Sequence, residues 1–124
     1  MNYLNVYITR SKRRELARPN FMTYYLTVPS NCRLSFLAPL IFGKPNIERV
    51  TIRGNTLEQI YIFTINGIEV FLYRVTNNNY WIIGFETLLL DGQTLGIDRI
   101  IAAQILYEAI ENNSIYKLEL TSCT

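Results

Sequence analysis

The segment TRSKRRELARPN, residues 9–20, holds five cations, Arg10, Lys12, Arg13, Arg14 and Arg18, against a single acid, Glu15. Clustered cations attract phosphate through counterion release, and arginine in particular grips carboxylates with a bidentate fork. Tyr3, Tyr7 and Tyr25 stand on the flanking segments, where aromatic rings can stack on unpaired bases or give a protein partner amphipathic contact area. Arg49 and Arg53, with Thr51 between them, fall on one face of an extended segment and enlarge the basic patch. These residues read as a contact loop, with Arg13, Arg14 and Arg18 as its centre. A protein is the favoured partner and nucleic acid the alternative, since the clustered cations suit phosphate but come with no RNP, zinc-finger or GxxG pattern.

Catalytic chemistry is narrowed by what the chain lacks. It has no histidine, so a Ser/His or Cys/His nucleophile, an imidazole base and a His-containing zinc site are all excluded. Cys32 and Cys123 are far apart and too few for a four-cysteine site, and they read as reduced thiols. Neither GxGxxG nor GxxxxGKS/T spacing is present. What remains is a set of carboxylates, Glu58, Glu69, Glu86, Asp91 and Asp98. A hairpin turning at Asn66-Gly67 sets Glu58 opposite Val75 and Glu69 opposite Thr64, too far apart for a catalytic pair. A magnesium-dependent enzyme such as a nuclease is therefore the third reading, behind a non-catalytic accessory or regulatory binding protein. No cofactor and no metal site is expected.

The elements that must position these residues are mostly strands. Leu4, Val6 and Ile8 alternate with Tyr3, Asn5 and Tyr7, and Met22, Tyr24, Leu26 and Val28 with Tyr25 and Thr27, the period-two pattern of half-buried strands. If these two pair as neighbours, the basic segment is the loop between them. Strand-like runs follow from Ile47, Leu57, Ile68 and Tyr80, and a last short one from Ile115. Asn66-Gly67 favours the positive φ angles of a type I′ hairpin turn, and the asparagines at 77–79 mark a second turn. Apolar residues occupy both alternating positions of residues 60–65, as in a central strand covered on both sides. GIDRIIAAQILYEAIEN, residues 96–112, is helical, with Gln104, Glu108 and Glu111 in one polar stripe and Ile101 and Ile105 expected against the sheet. A shorter helix is expected near residues 31–41, after Ser30 as its cap.

The 124 residues fit one domain, and an apolar content of 49% is enough for a core. The fold class is α+β: a mainly antiparallel sheet of about five to seven strands, with one long C-terminal helix and one shorter helix packed on it. MNYLNVYITR lacks the apolar run of a signal peptide, and no stretch is long and apolar enough to span a bilayer, so a soluble, cytoplasmic protein with no membrane partner is expected. Charge is uneven. Residues 1–53 carry nine Lys and Arg against Glu15 and Glu48, a net +7, and residues 54–124 carry three against eight acids, a net −5. Opposite halves of this kind attract each other within one fold or across two copies, which makes a homo-oligomer a further candidate. The excess of Ile, Asn and Tyr resembles the coding bias of AT-rich archaeal or viral genomes and says nothing of function.

Overall fold

Two tight turns organise the middle of the chain. Asn66 and Gly67 both have positive φ, 52° and 78°, and Ile65 pairs with Ile68 across them, the two-residue hairpin that Asn-Gly favours. Arg53 and Gly54 form a second such turn, at 51° and 81°, between Ile52 and Asn55. Arginine is not among the residues that favour positive φ, so this turn carries little sequence signal.

The computed structural model describes residues 8–28, 38–39, 42–78, 80–90 and 92–111. They form six strands, β1 (Ile8–Arg10), β2 (Met22–Val28), β3 (Ile47–Ile52), β4 (Asn55–Ile65), β5 (Ile68–Val75) and β6 (Trp81–Glu86), and one helix, α1 (Ile97–Glu111). The sheet runs β1-β4-β5-β6-β2, with β3 paired to β4 beyond the end of β1, and every pairing among the described residues is antiparallel. This is a mainly antiparallel α+β arrangement with one helix rather than two among the described residues. The shorter helix expected near residues 31–41 falls largely outside them. Residues 38, 39 and 42 are helical, and Gly43 N donates to Pro39 O at 2.9 Å. The strand expected from Ile115 and most of the one expected at residues 3–9 also lie outside the described residues.

Alternation gives the sheet two apolar faces. Tyr61, Phe63, Ile65, Leu72, Trp81 and Ile83 point to the helix and pack with Ala102, Ala103, Ile105, Leu106 and Ile110. Ile60, Ile62, Phe71, Tyr73 and Ile82 point to the far face and form a second cluster with Ile52, Leu57, Leu16 and Met22. The buried alanines leave room for α1 to approach the strands closely. Ile105 is 2% exposed as expected, but Ile101 is 40% exposed. One helical turn from Ile97 and about 100° from Ala102, Ile101 belongs to the outer face.

The expected pairing of the first two strands is not found. β1 pairs with β4 and β2 with β6, on opposite sides of the sheet. The basic segment is therefore no hairpin tip. It must cross the far face from one edge to the other, and Leu16 joins the apolar cluster on the way. We call residues 11–21 the strap.

Candidate binding surface

The strap begins where β4 changes partners. Between the end of β1 and the start of β3, Ile62 has no strand beside it on that edge, so its backbone groups need other partners. Ser11 N donates to Ile62 O at 2.9 Å, and Ile62 N donates to Asn46 Oδ1 at 3.0 Å. The same Oδ1 accepts from Arg10 Nη2 at 2.7 Å, while Asn46 Nδ2 donates to Ser11 O at 2.7 Å and to Arg13 O at 2.9 Å. Asn46 is buried, and its amide makes all four of the hydrogen bonds it is capable of.

Arg10 and Arg13 point inward and hold the strap. The Arg10 guanidinium donates to the carbonyls of Phe42 and, at 2.8 Å, Lys44, and it lies 4.8 Å from the centroid of Tyr61 and 5.6 Å from that of Phe63. Burial lowers its pKa, and the charge of a Tyr61 phenolate would oppose that. Arg13 lies 5.8 Å from the centroid of Phe71 and donates to Glu69 Oε1 at 2.6 Å, Glu86 Oε1 at 2.9 Å and Glu15 O at 3.1 Å. Burial pulls its pKa down, but the hydrogen bond it donates to Glu86 and the charges of Glu69 and Glu86 prevail and hold it above the ordinary value. Arg18 N caps the other Glu86 oxygen at 2.8 Å. The opposite charges of the two halves thus meet, in part, inside the fold.

Glu69 and Glu86 come together because each lies two residues beyond the Phe71–Gly84 pair on its own strand. The register that carries them together runs from β5 to β6, whereas the β4–β5 hairpin keeps Glu69 apart from Glu58. With Asp98 and Arg99 they border a cleft of about 460 Å³ at the entry to α1. Among the described residues no three Cys, Asp or Glu are grouped to hold a metal ion, and Asp91 lies outside them.

Glu58 has a different neighbourhood from the expected one. A bulge at Gln59, φ 51°, shifts the register so that Glu58 faces Arg74 instead of Val75. It accepts from Arg74 Nη2 at 3.3 Å on one side and from Arg49 Nη2 at 2.9 Å on the other. Arg49 is thereby paired. Arg53 lies in its turn and not in β3, and its Nη2 donates to Asn20 O at 2.6 Å, tying the β3–β4 hairpin to the end of the strap.

Of the basic segment, Lys12, Arg14 and Arg18 face outward and are exposed. The tyrosines exchange roles. A register shift between Tyr24 and Leu26 turns Tyr24 out, 58% exposed, while Tyr25 packs on the helix-side core with its ring edge-on to Phe85, 6.2 Å between centroids. Strict alternation assigns the opposite sides, and a bulge is what breaks it. Tyr3 and Tyr7 lie outside the described residues. Beside Tyr24 is a shallow groove of about 230 Å³, floored by Tyr73 and Val75 and walled by Met22, Leu57 and Arg53.

No protein-family model, no curated protein and no solved structure matches this chain. The geometry of the strap side is distinctive. That geometry offers an anchored strap with an outward row of cations, an apolar groove at one end of it, and carboxylates that are already engaged by arginines. The paired carboxylates nearest the cleft, Glu69 and Glu86, are held in ion pairs and hydrogen bonds.

Proposed function

We propose that the chain is a non-catalytic accessory or regulatory protein that binds a macromolecule, a protein in preference to nucleic acid, through the outer side of the strap. The observation that supports this reading is the division of labour within one basic segment. Arg10 and Arg13 are used to fix the strap to the sheet, which leaves Lys12, Arg14 and Arg18 facing solvent on a backbone already held in place. A prearranged surface loses less conformational entropy on binding than a mobile loop does. Tyr25 packs in the core and Tyr24 takes the exposed place beside the groove, where a ring next to an apolar floor gives a protein partner amphipathic contact area. No helix among the described residues is long and apolar enough to cross a membrane.

The test is a triple variant, Lys12→Ala with Arg14→Ala and Arg18→Ala, compared with the wild type in chemical cross-linking to partners and in binding to mixed RNA and DNA at about 50 and 200 mM salt. The expected result is loss of the cross-linked partner with an unchanged melting temperature, since exposed substitutions cost within about 0.5 kcal/mol. Retained partner binding overturns the reading. Salt-steep oligonucleotide binding that the triple variant loses makes nucleic acid the partner.

A further inference from the structure

The groove at the end of the strap has a shape and a charge that specify a partner more narrowly than the strap does. Its floor and inner wall are apolar, with Leu57 and Tyr73 buried and Met22 and Val75 packed around them. Its rim carries a cation, Arg53, which among the described residues uses one guanidinium N–H, toward Asn20 O; exposed Arg18 precedes the lining residue Pro19, with its guanidinium 5.9 Å from the centroid of Phe21. No carboxylate is among its described lining residues. Tyr24 stands over it as a large ring that loses little conformational freedom on binding.

Size decides between kinds of ligand. Sites for drug-sized small molecules occupy about 300–1,000 Å³. At about 230 Å³ this groove falls short of that range and fits an apolar side chain projecting from a longer chain. Gly84 contributes to its form: a Cβ there would come within 3.3 Å of the Tyr73 hydroxyl and 2.5 Å of Thr23 O, so the floor and β2 can lie this close only over a glycine.

We infer that the groove between Tyr24 and Arg53 receives an acidic peptide segment of a partner protein, an apolar anchor residue seated on Tyr73 and Val75 and flanking Asp or Glu paired with Arg53 and Arg18. This rests on the reading of the strap as the contact surface and names the chemistry of what it contacts. The buried anchor supplies most of the affinity and the charged rim supplies orientation and encounter rate.

The experiment is selection of a displayed library of short random peptides on the purified full chain. Enriched peptides are then resynthesised and titrated against the wild type, the Tyr24→Ala variant and the Lys12/Arg14/Arg18→Ala variant, with backbone amide shifts recorded for the folded protein. Expected are sequences in which Asp or Glu flank an aliphatic or aromatic residue, with about tenfold loss of affinity on replacing that anchor by Ala or on Tyr24→Ala, and shifts centred on Met22, Leu57, Tyr73 and Val75. Acidic peptides that bind with no dependence on an anchor or on Tyr24, but fail on the triple variant, overturn the groove and leave the strap. Selected peptides without acids, or none enriched above background, also overturn the groove proposal. If the triple variant in addition keeps the cross-linked partner, the strap reading falls with it.

Discussion

Glu69 and Glu86 face each other across β5 and β6 and share the guanidinium of Arg13, at 2.6 and 2.9 Å. Like charges set opposite on neighbouring strands repel, so this pair is tolerable because a cation from the strap sits between them. The side chain of Glu86 is only 8% exposed, which makes the compensation matter more there than at Glu69.

Arg13→Ala leaves two carboxylates uncompensated and frees the middle of the strap. Breaking a fully buried pair costs about 3–5 kcal/mol; with Arg13 and Glu69 partly exposed, we expect about 2–3 kcal/mol. Denaturant unfolding measures it. Adding Glu69→Gln to Arg13→Ala should recover part of the loss, and a simple sum of the two single effects would show that the carboxylates do not repel.

Asn46→Ala removes four hydrogen bonds at once and strands the buried Ile62 N–H. A loss of about 2–4 kcal/mol is expected, on the scale of one or two buried groups left unsatisfied. Asn46→Asp keeps the acceptor for Ile62 N and Arg10 but loses the donations to Ser11 O and Arg13 O. Hydrogen exchange should then quicken in the strap before it quickens in β4.

Ile105→Ala opens a cavity under α1 and should destabilise by about 2–5 kcal/mol. Ile101→Ala, on the outer face of the same helix, should stay within about 1 kcal/mol. Equal losses at the two sites would mean that the outer face is also covered.

Alkaline stability should depend on Tyr73. Burial pushes its phenol up to about 12 from an unfolded value near 10, so the folded chain keeps a proton that the unfolded chain gives up. Its contribution is complete below pH 10 and declines as pH rises through about 12. Tyr73→Phe should flatten that decline by up to about 2 kcal/mol, read as unfolding free energy against pH. Tyr61, also pushed to about 12 chiefly by burial, makes a parallel contribution, but its hydroxyl donates to Gly43 O at 3.0 Å, so Tyr61→Phe costs a hydrogen bond at neutral pH as well.

What the amino-acid sequence determined was local. The Asn66-Gly67 turn follows from the φ preferences of those two residues, the two-faced apolar character of β4 from its composition, and the helix from its uninterrupted run, expected at 96–112 and found at Ile97–Glu111. Each depends on neighbours in the chain. The tertiary structure alone decided which strands pair, and with that the direction of every cation in the basic segment. β1 and β2 carry the same alternation that a hairpin would, yet joining them to opposite sides of the sheet lets the strap and Leu16 cover the far-face cluster. Burial is summed over an entire face and has no signature in any short window of residues. The same holds for the bulges at Gln59 and before Leu26, where a single extra residue moved Glu58 onto Arg74 and turned Tyr24, not Tyr25, to solvent. Five neighbouring charges look alike in a line of text. Which of them hold the fold and which face outward depends on acids as distant as Glu69 and Glu86, brought there by the register of strands they do not belong to.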